Sequence, residues 1–130
     1  MPSPTILIID DNRLIRWSVS ALLGRAGFRV CEAATGAGGI AAVRLGLADL
    51  VLLDIGLPDQ DGFSVLGVIR QVRPDIPVLM LTADTTSDSV KRTFCLGAQG
   101  HLGKPYDPAV LQAAVRGALK SAIPPDRSAA

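Results

Sequence analysis

Leu50-Val51-Leu52-Leu53-Asp54 is the stretch that decides the fold of this chain of 130 residues. Four large apolar residues in succession are typical of a strand that is buried on both faces, as in a parallel sheet. The run ends on a carboxylate, and a turn-rich loop over residues 55–62 follows it. Ligands of open parallel sheets bind beyond the carboxyl ends of the strands, so Asp54 occupies a position suited to chemistry. Taken alone, a strand-ending Asp more often caps a turn, and the rest of the chain must decide.

The remaining chain alternates between strand-like and helix-like segments. Apolar runs predict further strands over residues 5–9, 28–33, 76–82 and 99–103, and helical spacing of apolar residues predicts helices between and after the strands. The second helix is expected over Gly39 to Leu47, and the fourth over Ser89 to Leu96 with Val90, Thr93 and Phe94 facing inward. Strict alternation of strand and helix predicts an α/β fold, a doubly wound, five-stranded parallel sheet with helices on both faces.

Composition and charge favour one globular domain in the cytoplasm. Apolar residues make up 48% of the chain and charged residues 19%, and the formal net charge of +1 gives no reason to expect direct contact with nucleic acid. Residues 1–121 are expected to form the domain and residues 122–130 a linker-like tail. We expect neither a signal peptide nor a membrane span, because no apolar run is long enough. Cys31 and Cys95 lie in apolar patterns and are expected to be reduced core thiols.

Polar residues follow four of the predicted strands at what would be one edge of the sheet. The first strand ends on Asp10 and Asp11, the third on Asp54, the fourth on Thr82 and the fifth just before Lys104. Packed carboxylates repel one another unless a cation lies among them, and hard oxygen ligands suit Mg²⁺ better than zinc. Mg²⁺ and Lys104 would neutralise phosphoryl oxygens, to which Thr82 could donate. Asp54 lies on a central strand and is therefore the candidate nucleophile for an aspartyl phosphate.

With these residues the sequence resembles the receiver domain of two-component response regulators, over residues 5 to about 121. The motifs that carry the resemblance are Asp10-Asp11, Asp54 with the loop 55–62, Leu81-Thr82-Ala83, Gly97-Ala98 and Lys104-Pro105. The resemblance implies a flavodoxin-like sheet of strand order 2-1-3-4-5. It also implies that Asp54 accepts a phosphoryl group from a sensor histidine kinase or a histidine phosphotransfer protein. The chain would then be a signalling switch and not an enzyme that turns over metabolites.

The resemblance also implies roles for the other residues of the site. The groups implied to hold Mg²⁺ are Asp11, Asp54 and the backbone carbonyl of Gly56, with Asp10 acting largely through water. Thr82 and Lys104 would contact the phosphoryl group. Gly56 and Asp84, which stand two residues after Asp54 and Thr82, would tune the lifetime of the phosphoryl group.

The sequence departs from the usual pattern of the family at two positions. His101 stands where the family usually has Tyr or Phe, the residue that swings inward as the switch Thr moves, so His101 would form the switch together with Thr82. An imidazole is smaller and can be charged near neutral pH, which indicates an altered switch that depends on pH. The alternative is that His101 is simply a surface residue of a short strand. Gly100 stands where many receivers carry an Asp used in salt bridges across a dimer face, which weakens the expectation of a homodimer.

The segment over residues 13–18 resembles receivers of the NtrC-like, σ54-activator group. That resemblance implies a transcriptional regulator, although a stand-alone receiver is the alternative. The helical spacing in this segment places Trp17 opposite the apolar stripe of the first helix, so its side chain is expected to be exposed and is a candidate contact for a partner.

Three other functions compete with the phosphorylation switch. The segment Gly36-Ala37-Gly38-Gly39-Ile40-Ala41 matches the G-x-G-x-x-A pattern of dinucleotide-binding enzymes, but that function leaves Lys104 and Thr82 unexplained. A haloacid-dehalogenase-like phosphatase would use Asp10 as nucleophile, but it needs an acid where Asn12 stands. A degenerate receiver that signals without phosphate is disfavoured by the intact acidic set.

Overall fold

The computed structural model describes residues 3–83, 86–104 and 106–121. In order along the chain, the elements are β1 (Thr5–Ile9), α1 (Arg13–Arg25), β2 (Arg29–Ala33), α2 (Gly36–Arg44), β3 (Leu50–Asp54), α3 (Gly62–Val72), β4 (Val78–Thr82), α4 (Ser87–Cys95), β5 (Gly100–Gly103) and α5 (Pro108–Ser121). The strands pair in parallel in the order β2-β1-β3-β4-β5. The predicted fold class and strand order are therefore confirmed. Residues 122–130 lie outside the described residues, and the predicted domain boundary stays a prediction.

The central strands are buried on both faces, as the apolar runs predict. Every residue of β3 and of β4 is buried. Successive side chains of a strand point to opposite faces, so Leu53 joins a core beneath α2 and α3 while Leu52 joins a second core beneath α1 and α5. Helices thus pack against both faces of the sheet whose strand ends carry the predicted site residues. No described helix is long and apolar enough to cross a membrane.

The predicted start of α2 is wrong, since the helix begins at Gly36 and not at Gly39. The hydroxyl of Thr35 accepts from the backbone N–H of Gly38 at 3.1 Å and caps the helix. The glycines in the first turn of α2 allow the helix to pack closely against its neighbours. A Cβ atom at Gly36 would lie 2.7 Å from Val65 in α3, and one at Gly39 would overlap Ile9 in β1.

Of the α4 residues predicted to face inward, Thr93 is buried and Val90 is half-buried, but the prediction is wrong for Phe94. Phe94 is 49% exposed, and Cys95 is exposed and so is not a core thiol. The helix is turned so that Ser89 and Thr93 are buried, and the Thr93 hydroxyl donates to the Ser89 carbonyl at 3.0 Å. Because this internal bond satisfies the hydroxyl of Thr93, a polar residue can occupy the inner face and the aromatic one is left outside.

The remaining side chains singled out from the sequence follow the predictions more closely. Trp17 is 69% exposed, as its place on α1 predicts. Cys31 is half-buried, and burial, followed by the charge of Glu32, raises the pKa of its thiol. A thiol with a raised pKa is a poor nucleophile near neutral pH, which agrees with an unreactive cysteine.

Candidate functional site

Three of the predicted site residues meet in direct contact at the carboxyl edge of the sheet. Asp10 follows β1 and is 1% exposed, and Asp54 ends β3 and is 7% exposed. The Lys104 ammonium, which follows β5, lies 2.8 Å from Asp10 Oδ2 and 3.2 Å from Asp54 Oδ1. Residues far apart in the chain thus form one buried ionic cluster.

Asp11 completes an acidic group that could hold a metal ion. One carboxylate oxygen each of Asp10, Asp11 and Asp54 lie within 4.8 Å of one another, and Asp11 is the exposed member. Hard oxygen donors that are open to water on one side suit Mg²⁺, which keeps several waters when it is bound. The donor set therefore fits the metal that the sequence predicts.

The cluster holds more negative than positive charge, with three carboxylates beside one ammonium group. Burial, followed by the charge of Asp10, raises the pKa of Asp54, while Lys104 and the Gly56 N–H lower it by less. Burial alone would lower the pKa of Lys104, but its hydrogen bond to Asp10 and the charges of Asp10 and Asp54 outweigh burial and raise it. Lys104 alone does not offset the negative charge around Asp54, so a second cation would be bound favourably.

The loop after β3 holds the Asp54 carboxylate through a backbone N–H group. The Gly56 N–H donates to Asp54 Oδ1 at 3.3 Å, and Gly56 forms an antiparallel bridge with Asp61. A Cβ atom at Gly62 would lie 2.5 Å from the Asp54 carbonyl oxygen, so glycine is required where α3 begins. A Cβ atom at Gly56 would instead meet nothing within 4 Å, which agrees with open space beside the predicted acceptor.

Thr82 and His101 lie on the two strands beyond Asp54. Thr82 is 4% exposed, and its carbonyl accepts from the Lys104 N–H at 2.7 Å. In the register of β4 and β5, Gly103 lies beside Thr82 and His101 beside Met80, so His101 is set back from the strand ends. Its Nε2 atom is buried and has no hydrogen-bond partner among the described residues.

Two of the residues that the sequence singled out lie outside the described residues. They are Asp84, predicted to tune phosphoryl lifetime, and Pro105, which follows Lys104 in the motif. Their predicted places in the site stay predictions.

Sequence reasoning missed two side chains that fix the site from outside. Arg16 of α1 donates through Nη1 to the Asp10 carbonyl at 2.8 Å. Asp59, in the loop after β3, accepts from the N–H groups of Gly36 and Ala37 at 2.8 and 3.0 Å. These bonds, the Gly36 one first, lower the pKa of Asp59. Neither contact has a local sequence signal, although the two glycines at the start of α2 left its first N–H groups accessible.

The contact of Asp59 also bears on the dinucleotide-binding alternative. That function needs the N–H groups at the start of the helix for a pyrophosphate. Here a carboxylate of the chain occupies the N–H groups of Gly36 and Ala37. The glycines serve the packing of α2, so the motif is accounted for without a nucleotide.

Comparison with known families identifies the arrangement. The family model described as "Response regulator receiver domain" matches residues 6–116. The chain belongs to this family. The receiver is 40% identical over 122 residues to the transcriptional regulatory protein GltR of Pseudomonas aeruginosa, covering 91% of the chain and 50% of GltR. It is 36% identical over 107 residues to the DNA-binding transcriptional regulator NtrC of a Bradyrhizobium species, covering 82% of the chain and 22% of NtrC.

Solved structures of other receivers share the fold. A CheY-like receiver domain protein from Methanospirillum hungatei superposes with a TM-score of 0.87 at 30% identity, covering 91% of this receiver and 94% of that chain. The chemotaxis response regulator CheY4 of Vibrio cholerae gives a TM-score of 0.83 at 30% identity, covering 89% and 98%. This receiver spans half or less of the length of GltR and NtrC. The predicted resemblance to response regulators is confirmed, and an NtrC protein is among the relatives.

Proposed function

We propose that this receiver is a phosphorylation-dependent signalling switch whose acceptor is Asp54. A sensor histidine kinase or a histidine phosphotransfer protein would supply the phosphoryl group, and Mg²⁺ would be the cofactor. The observation that carries the proposal is the buried cluster in which Lys104 contacts both Asp10 and Asp54 next to an acidic group able to hold a cation. The chain would accept the group once and later lose it to water, and would not act as an enzyme on other substrates.

The residues of the cluster divide the transfer among them. A carboxylate oxygen of Asp54 attacks the phosphorus, an O–P bond forms, and the N–P bond of the donor phosphohistidine breaks, leaving its electron pair on the imidazole nitrogen. Lys104 lies 3.2 Å from the Asp54 carboxylate, close enough to contact a phosphoryl oxygen and to neutralise its negative charge during the transfer. Mg²⁺, held by Asp11, Asp54 and the Gly56 carbonyl, with Asp10 acting largely through water, would supply further neutralisation of those oxygens.

The switch would run from Asp54 towards α4 and β5. A phosphoryl group adds charge and acceptor oxygens at the strand ends, and the Thr82 hydroxyl on the neighbouring strand would donate to one of them. Thr82 and Lys104 are joined through the backbone, so movement at one reaches the start of the β5–α5 segment. A shift of α4 together with His101 would then alter the surface that a partner meets.

The wider setting of the receiver is proposed from its relatives. Two of them are named as transcriptional regulators and exceed this chain in length. We propose that this receiver is the regulatory part of such a regulator, or acts as a stand-alone receiver, in the cytoplasm. It would make no direct contact with nucleic acid or membrane, and a homodimer is one form that its output could take.

The acceptor assignment is tested by labelling with acetyl phosphate and Mg²⁺, followed by mass mapping of the modified residue. Asp54→Asn is expected to lose labelling completely, and Asp75→Asn, which changes an exposed carboxylate after α3, is expected to keep it. Label on Asp10 of the wild type would support the phosphatase alternative and refute the switch. Label that persists in Asp54→Asn would refute the acceptor.

The role of Thr82 is tested separately. Thr82→Ala is expected to be labelled at a rate within a few-fold of the wild type, since the nucleophile and Lys104 remain. Hydrogen exchange over α4 should then change on phosphorylation in the wild type and in Thr82→Ser, which keeps the hydroxyl, but not in Thr82→Ala. An equal change in all of them would show that Thr82 does not couple the site to α4.

A further inference from the structure

We propose that Arg16 is a positioning residue, which fixes the peptide unit between Asp10 and Asp11 and thereby sets the affinity of the site for Mg²⁺. This inference rests on the proposed function. Its starting point is the hydrogen bond from Arg16 Nη1 to the carbonyl oxygen of Asp10, at 2.8 Å. That carbonyl belongs to the one peptide unit that joins the two acidic residues.

Groups other than Arg16 hold the N–H and the carboxylate of Asp10. The Asp10 N–H donates to the Ala33 carbonyl at 3.1 Å, which ties Asp10 to the end of β2. The Asp10 carboxylate is held by Lys104 at 2.8 Å and by the Asn12 N–H at 2.9 Å. Asp11, in contrast, is exposed. Of the two peptide units that flank Asp11, the Asn12 N–H ties the second to the Asp10 carboxylate and Arg16 ties the first. Release of the first unit by loss of Arg16 would therefore let the Asp11 carboxylate turn away from Asp10 and Asp54.

Arg16 is itself fixed in place. Its side chain is 16% exposed, and Nε lies 3.2 Å from Glu32 Oε1. The other oxygen of Glu32 accepts from the Ser20 hydroxyl at 3.1 Å. The planar guanidinium thus spans Glu32 of β2 and the Asp10 carbonyl at once, which a lysine ammonium at the end of a flexible stem does not reproduce.

The contact acts through geometry and not through net charge. Glu32 lies against the guanidinium and offsets its charge, and the group donates to a carbonyl and not to a carboxylate of the site. Groups that orient metal ligands from the outside typically change metal affinity by about 10- to 100-fold when they are removed. We expect Arg16 to belong to this class.

The test is the dissociation constant for Mg²⁺, measured by calorimetry on the whole chain without any phosphoryl donor. Arg16→Gln is expected to weaken Mg²⁺ binding about tenfold, and Arg16→Lys is expected to recover less than half of that loss in free energy. Arg13→Gln is the matched control, because it removes the same charge from an exposed position of the same helix, and it should stay within twofold of the wild type.

Two results would overturn the inference. The first is a folded Arg16→Gln variant with the Mg²⁺ affinity of the wild type, and the second is an equal loss in Arg13→Gln, which would show a charge effect. If Arg16→Gln does not fold, as judged by circular dichroism, Glu32→Ala replaces it, since it leaves Arg16 in place but removes the side chain that accepts from its Nε. Unchanged Mg²⁺ affinity in Glu32→Ala would then overturn the inference.

Labelling separates this inference from the proposed function. At saturating Mg²⁺, Arg16→Gln should be labelled by acetyl phosphate at nearly the wild-type rate, because only binding of the metal is impaired. Slow labelling at saturation together with an unchanged Mg²⁺ constant would assign Arg16 to the chemistry and contradict the inference. Absence of label in the wild type would refute the acceptor, while the comparison of Mg²⁺ constants would still decide the role of Arg16.

Discussion

The carboxylate edge of this receiver and its β5 side are built in opposite ways. At the edge, Lys104 contacts two buried carboxylates, and the backbone N–H groups of Gly56 and Asn12 donate to Asp54 and Asp10 in addition. Along β5 each residue is only half-buried, and a groove of about 390 Å³ separates the strand from α5. His101 Nε2 has no hydrogen-bond partner among the described residues there. The site of the proposed phosphoryl transfer is therefore held by several contacts, whereas the proposed path of the signal is loosely packed, which is typical of segments that move.

The largest effect is expected where the Lys104 contacts at the carboxylate edge are removed. Lys104→Met should lower the free energy of unfolding by about 3 kcal/mol without divalent ions, because Asp10 and Asp54 remain buried without a cation. Mg²⁺ should recover part of that loss. Denaturant unfolding with and without Mg²⁺ checks this, with Lys91→Met on the exposed side of α4 as control. Equal losses in the two variants would show that the cluster does not depend on the Lys104 contact.

Asp54→Asn should stabilise the protein by on the order of 1 kcal/mol at pH 7. Burial and Asp10 raise the pKa of Asp54 above the ordinary 3.8, so the folded state holds this proton more tightly than the unfolded state does. Stability from this group is present below pH 3.8 and is lost as the pH rises through the raised pKa. The advantage of the variant should hence shrink as the pH falls towards 3.8. An advantage independent of pH, in unfolding measured across that range, would contradict the assigned cause.

Two glycine substitutions test how loosely the groove between β5 and α5 is packed. A Cβ atom at Gly100 would lie 2.7 Å from Leu79 Cδ2, so Gly100→Ala should cost about 1 kcal/mol, limited by the freedom of the leucine to move. At Gly117 of α5 a Cβ atom would meet nothing within 4 Å, and Gly117→Ala should stabilise by slightly less than 1 kcal/mol. Thermal unfolding of both variants checks the opposite signs. A cost at both positions would mean that the groove side is packed more tightly than its structure indicates.

The smallest expected effect concerns the contact between α4 and the loop after β3. Arg92 of α4 lies 4.4 Å from the centroid of the Phe63 ring and 3.8 Å from Asp61 Oδ2, and its side chain is 60% exposed. Arg92→Gln should cost about 0.5 kcal/mol. Its clearer signature is faster hydrogen exchange over α4 alone, with Lys91→Gln as the control of equal charge. Unchanged exchange in Arg92→Gln would show that this contact does not restrain α4.

The two sides also differ in how far the sequence predicts them. Asp10, Asp54 and Lys104 could be found because each follows a strand, and parallel strands bring their carboxyl ends to one edge. The apolar run of β3 likewise predicts a strand that is buried on both faces. These features depend on local pattern and on topology, both of which a single sequence carries.

The wrong predictions concern which residue of a helix is buried and where a helix begins, in places where a single side-chain hydrogen bond determines the outcome. Helical spacing predicts both Thr93 and Phe94 on the inner face of α4, but Thr93, whose hydroxyl bonds within the helix, is buried and Phe94 is exposed. The first N–H groups of α2 are bound by Asp59, and the Asp10 carbonyl is bound by Arg16, each from another part of the chain. Such contacts follow from the tertiary structure and have no local pattern to reveal them.

The bond between Asp59 and the first N–H groups of α2 has a consequence for engineering. A chimaera that exchanges the loop after β3 for one without this Asp would remove the carboxylate that binds the first N–H groups of α2. The helix would then keep its Thr35 cap but lose two hydrogen bonds, although no residue of α2 had been changed. The loop and the first turn of α2 should therefore be taken from the same parent protein when such a chimaera is made.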